Sequence, residues 1–94
     1  MICLSESQLQ KKAIKHVQNL GGVVYRNPPG EGRCDVEMFL PNGKVLLLEF
    51  KRNKKAKTGI YQALQHKKLN NLGHNSYYVD SWDCFLNILQ KVQI

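Results

Sequence analysis

The chain has 94 residues, 43% of them hydrophobic and 22% charged, with a formal net charge of +7. A second core would need roughly 50 residues of its own, so residues 1–94 form one domain. No apolar run approaches the roughly 18 residues of a membrane span, which excludes a transmembrane helix.

The amino terminus, "MICLSESQLQKK", has no basic start followed by an apolar stretch, so no secretory signal is read and a site of action inside a cell is expected. Ser5 then offers an N-cap, Gln8 completes a capping box, and Leu4 with Leu9 supplies a hydrophobic staple. Leu9, Ala13, Ile14, Val17 and Leu20 recur at helical spacing, and Gly21-Gly22 stops the helix. A short strand at "VVYR" follows. "NPPGEG" then reads as a mobile loop, because its prolines lack donors and its glycines favour turns.

"RCDVEMFLPNGKVLLLEFKR" has the pattern of a β-hairpin turning at Pro41-Asn42-Gly43. Proline presets the first turn position and glycine accepts the left-handed one, which favours a three-residue loop with a bulge. Leu40 then pairs with Lys44, and Asp35 falls opposite Glu49 on the same sheet face. A two-residue Asn-Gly turn would instead place the two acids on opposite faces. Beyond the hairpin, "RNKKAKTG" is a basic connection, with Thr58 the expected N-cap of a second helix. Ile60, Tyr61, Ala63, Leu64, Leu69 and Leu72 are its expected buried stripe, and Gly73 its end. A strand at "SYYVD" and a last helix from about Ser81, burying Phe85, Ile88, Leu89 and Val92, complete the chain. The fold class is therefore α/β, in the order α-β-β-β-α-β-α, with the last strand returning beside the hairpin to make a mixed sheet flanked by helices.

Within "VLLLEFKR", Leu46, Leu48 and Phe50 point one way and Leu47, Glu49 and Lys51 the other. A carboxylate taken into a sheet costs several kcal/mol unless paired, and a second acid opposite adds repulsion. Two solutions are open. Lys51 can close a purely structural ion network, or a divalent cation can sit on Asp35 and Glu49, whose hard oxygens suit Mg²⁺ or Mn²⁺. In the second case Lys51 positions an attacking water or opposes charge on a scissile phosphate. The charge distribution bears on the choice. From Lys51 to Val79 there are seven Lys or Arg residues and no Asp or Glu, which points to a polyanion, most plausibly nucleic acid.

The remaining chemistry-bearing residues are less informative. Cys3, Cys34 and Cys84 are odd in number and lack a C-x-x-C pair, so reduced thiols are expected rather than a disulfide or zinc framework. His16, His66 and His74 lack metal-ligand spacing and are expected on the surface or in helix packing. Glu6 complements the first helix dipole, yet at 100° per residue it lies within about 20° of Ala13 and Val17, on the stripe that faces the sheet. Glu37 shares the face of Asp35 and is expected at the rim.

Asp35, a hairpin, and then Glu49-Phe50-Lys51 resemble the PD-(D/E)XK pattern of metal-dependent nucleases, whose fold is restriction-endonuclease-like. With "SESQLQ", "RNPPGEGRCD", "LEFKR" and Gln62 added, nearly the whole chain resembles the VRR-NUC family, the virus-type replication and repair nuclease domain. The resemblance implies that Asp35 and Glu49 hold Mg²⁺ or Mn²⁺ together with the backbone carbonyl of Phe50. It also implies that Lys51 is the catalytic lysine, and that Glu6, acting through water, and Gln62 complete the site. Cys34 stands where a proline commonly precedes the aspartate, which puts the local backbone rigidity in question.

The implied activity is structure-specific DNA cleavage, with four-way (Holliday) junction resolution by a homodimer as the leading substrate hypothesis. Arg52, Lys54, Lys55 and Lys57 would contact the DNA backbone. A flap or other branched-DNA nuclease is the near alternative, and a noncatalytic DNA-binding module the rival from another class. The family's small stand-alone members occur in bacteriophages and bacteria, so a bacterial or phage-infected cytoplasm is the implied location.

Overall fold

The computed structural model describes residues 4–28, 34–51 and 60–93, except the side chains of residues 60–62 and 93. Its elements are α1 (Glu6–Asn19), β1 (Val23–Arg26), β2 (Val36–Phe39), β3 (Val45–Phe50), α2 (Ile60–Asn71), β4 (Asn75–Val79) and α3 (Trp82–Gln93). The strands make one sheet in the order β1-β2-β3-β4. Its first two pairings are antiparallel and the last, β3 with β4, is parallel. Element order and mixed sheet are those expected.

Helix α1 begins as its sequence dictates. Gln8 N–H donates to Ser5 Oγ at 3.1 Å and Ser5 N–H to Gln8 Oε1 at 3.0 Å, closing the capping box. Leu9, Ala13 and Val17 are buried, whereas Leu20, expected on that stripe, is exposed because it serves as the C-cap beyond the last full turn. At Gly22 a Cβ would stand 2.6 Å from Val17 Cγ1 and 2.8 Å from the Phe39 carbonyl oxygen, so only glycine lets the chain pass from helix to strand this closely.

The hairpin has the odd loop. Leu40 N–H donates to the Lys44 carbonyl at 2.8 Å, and Gly43 takes the left-handed conformation with φ of +85°. Val36 pairs with Leu48 and Met38 with Leu46, the register read from the turn residues. Val36, Met38, Leu46, Leu48, Phe50 and Val79 are all buried and share one face. With α1 and the Phe85, Ile88, Leu89 and Val92 side of α3 they form the core.

The opposite face is built differently. Helix α2 covers it at β4, and among the described residues its expected apolar stripe is not what it buries, the side chains of Ile60 and Tyr61 lying outside the described residues. Leu64 and Leu72 are 59% and 67% exposed, Ala63 is exposed, and Leu69 is half-buried, while His66 is buried at 7%. The cause lies in the strand surface beneath. Leu47, Glu49, Ser76 and Tyr78 line that face, and a surface carrying a buried carboxylate and a hydroxyl is matched by polar helix positions rather than by leucines. Asn70 follows this rule, receiving the Ser76 N–H and donating to the Ser76 carbonyl, each at 3.0 Å. The expected N-cap Thr58 and most of the "NPPGEG" loop lie outside the described residues.

Candidate active site

β1 and β3 end, and β2 begins, at the same edge of the sheet, and an open cleft of about 410 Å³ lies there. Glu6, Ser7 and Gln10 line it from α1, facing Asp35, Phe50 and Lys51 of the hairpin, with Arg26 and Asn27 beside them. Glu6, though exposed, thus reaches the sheet side of its helix, as its angular position requires.

Asp35 stands one residue before the Val36↔Leu48 pair and Glu49 one residue after it, so the two acids oppose each other across the ladder. Backbone bonds set Asp35 in place. Its Oδ2 accepts the Phe50 N–H at 2.8 Å, and its carbonyl accepts the Asn27 N–H at 2.9 Å. The Asn27 side chain also donates to the Cys34 carbonyl at 3.0 Å. Both peptide groups flanking Asp35 are therefore tied to Asn27, which supplies the rigidity that a proline at position 34 would otherwise confer. The Cys34 thiol is pushed up to about 11, first by burial and then by the Glu37 carboxylate, so it is held as a neutral thiol. Glu37, expected at the rim, is not among the cleft-lining residues but accepts from Asn27 Nδ2 at 3.4 Å.

Glu49 is entirely buried. Its two oxygens meet different surroundings. Oε2 is 3.2 Å from His66 Nε2, while Oε1 is 3.5 Å from Lys51 Nζ yet accepts no hydrogen bond from the described residues. Lys51 is itself 26% exposed and lines the cleft, linking the buried acid to solvent. A buried carboxylate oxygen without a hydrogen bond is costly, and a cation removes that cost. A divalent ion fits this donor set. Among the described residues no three His, Cys, Asp or Glu side chains converge, and an ion on Asp35 and Glu49 would have to fill its other positions from backbone carbonyl, water or phosphate.

His66 is the one residue here that sequence reasoning misassigned, having placed it on the surface or in packing. His16 does take such a role, edge-on to Trp82 and Phe85. The signal for His66 was its place four residues after Gln62, one turn along the same helix. Gln62 lies in α2, but its side chain is outside the described residues, as are Arg52, Lys54, Lys55 and Lys57. No helix among the described residues is long and apolar enough to cross a membrane.

No protein-family model matches the chain. A protein of Acyrthosiphon pisum secondary endosymbiont phage 1, named "Putative nuclease p44", is 33% identical over 85 residues, 88% of this chain and 90% of its own length. A solved structure described as a VRR-NUC domain superposes with a TM-score of 0.73 at 26% identity, covering 94% of each chain. The mixed four-stranded sheet with three helices matches the VRR-NUC nuclease fold and accords with the PD-(D/E)XK-like class. Within that class the chain belongs to the VRR-NUC family.

Proposed function

We propose that this nuclease is a Mg²⁺- or Mn²⁺-dependent endonuclease that hydrolyses phosphodiesters of branched DNA, acting as a homodimer on four-way junctions. The observation that carries the metal requirement is Glu49 Oε1, fully buried, without a hydrogen bond from the described residues and 3.5 Å from Lys51, with Asp35 opposite. Asp35 and Glu49 would hold the ion with the Phe50 carbonyl, and Glu6 would reach it through water. When bound, the ion supplies a Lewis acid for the phosphoryl oxygen and lowers the pKa of water.

The chain's own groups do the rest. Lys51, anchored on Glu49 and open to the cleft, orients the attacking water or opposes the charge that develops on the phosphate. Gln62 binds the water or a phosphate oxygen. Arg52, Lys54, Lys55 and Lys57 hold the DNA backbone without reading bases, so selectivity follows DNA shape. Junction resolution rests on the likeness to small stand-alone VRR-NUC proteins, since two symmetric sites suit paired cuts.

One observation favours a second reading. The Glu49–Lys51 and Glu49–His66 contacts could form a closed structural ion network. Labelled four-way-junction, flap and linear duplex DNA, incubated with wild type and Lys51→Ala in Mg²⁺, Mn²⁺ or EDTA, separates the possibilities, with sedimentation reporting the oligomer. The expected result is metal-dependent cutting of the junction, lost in a folded Lys51→Ala that still binds DNA. Binding by wild type without cutting of any substrate would favour the noncatalytic module. A Lys51→Ala chain that loses stability, in a protein without metal-dependent cutting, would favour the ion network.

A further inference from the structure

Three polar side chains are buried among the described residues, Glu49, His66 and Ser76, and they touch in series. His66 Nδ1 meets Ser76 Oγ in a hydrogen bond, and Nε2 meets Glu49 Oε2 at 3.2 Å. All three groups are satisfied when the serine hydroxyl donates to Nδ1 and Nε2–H donates to the carboxylate, so Ser76 sets the tautomer that serves Glu49. Ser76 is fixed in turn. Its backbone N–H and carbonyl are both held by Asn70, one turn after His66 on α2. The Tyr78 ring lies 4.3 Å from the imidazole, centroid to centroid, and Tyr78 is the ladder partner of Glu49.

Replacing such a buried polar chain by packed apolar residues is often neutral or stabilising, so a merely structural role does not account for it well. What it does achieve is to distinguish the two oxygens of Glu49. Oε2 is held from inside the fold, and the carboxylate plane is fixed with Oε1 left beside Lys51 and without a hydrogen bond from the described residues. We propose that His66, aligned by Ser76, is a positioning residue of the nuclease site that orients Glu49 so that Oε1 is presented to the metal ion. The proposal rests on Glu49 being a metal ligand. Partners of this kind typically change metal affinity or activity by about 10- to 100-fold when removed.

The test measures Mn²⁺ binding to the DNA-free protein by calorimetry, alongside single-turnover cleavage and DNA affinity in EDTA. His66→Leu keeps bulk but removes the donor, and His66→Gln can place an amide N–H near the Nε2 position. The expected result is Mn²⁺ affinity about 10- to 100-fold weaker in His66→Leu, largely restored in His66→Gln, with DNA affinity in EDTA unchanged. Ser76→Ala, which keeps the imidazole but frees its tautomer, should weaken Mn²⁺ binding about 2- to 10-fold and serves should His66→Leu not fold. Glu49→Gln separates the two levels of the account. If wild type and Glu49→Gln bind Mn²⁺ alike, Glu49 is no ligand and the nuclease-site reading itself fails. If Glu49→Gln loses the metal while folded His66→Leu, or Ser76→Ala in its place, binds it as wild type does, the positioning role is overturned.

Discussion

Asp35 and Cys34 are neighbours in the chain with opposite tasks, and the same residue, Asn27, serves both. Its backbone N–H holds the Asp35 carbonyl while its amide holds that of Cys34, leaving the Asp35 carboxylate to the Phe50 N–H and the cleft. The Cys34 thiol, displaced from 9.0 to about 11 by burial and Glu37, has an unfolded value below its folded one. Below about pH 9 both states hold the proton and the difference has no effect. As pH rises from 9 towards 11 the unfolded thiol ionises first, so this group lowers stability with increasing pH in that window. In a Cys3→Ser, Cys84→Ser background, iodoacetamide at pH 8 should therefore modify Cys34 about 100-fold more slowly in the native than in the denatured protein. Equal rates would mean that the site does not protect this position.

Two elements illustrate what was legible in the sequence and what was not. The hairpin was legible because Pro41, Asn42 and Gly43 each have a specific conformational reason to be in that loop, and an odd loop leaves one register for the acids. Gly43 has φ of +85° and nothing lies within 4 Å of where a Cβ would stand, so a side chain there meets strain without a clash. Gly43→Val should lower stability by about 1 to 2 kcal/mol, while Gly43→Asn, tolerant of the left-handed region, should cost less, both read by thermal melting. The buried face of α2 was not legible, because periodicity locates apolar faces and this helix meets the sheet with His66 over Glu49. An apolar-stripe rule then selects Leu64 and Leu72, which are exposed. Placing Glu49 under α2 first would have asked for a polar partner on that helix, and His66 answers it.

For the whole molecule, the balance is between an acidic point in the sheet and a basic surround. The seven Lys and Arg residues between Lys51 and Val79 equal the net charge of the chain, and α1 adds Lys11, Lys12 and Lys15. Counterion release makes binding of a phosphodiester backbone steeply salt-dependent, by about 0.9 in logarithmic slope for each phosphate neutralised. If Arg52, Lys54, Lys55 and Lys57 are phosphate contacts, replacing all four with alanine should reduce that slope by about 3 to 4 in EDTA, while junction is still preferred over linear duplex. An unchanged slope would move the DNA path to another face. We propose, more locally, that two opposed carboxylates, one wholly buried, make the chemistry metal-dependent. The most direct measurement of this is the single-turnover cleavage rate of a labelled four-way junction against Mn²⁺ concentration for wild type, Asp35→Asn and Glu49→Gln. Saturable Mn²⁺ dependence is expected in wild type, with cleavage lost by about 100-fold or more in each folded variant. Cleavage by wild type in EDTA, or Mn²⁺-dependent rates that neither substitution alters, would contradict the proposal.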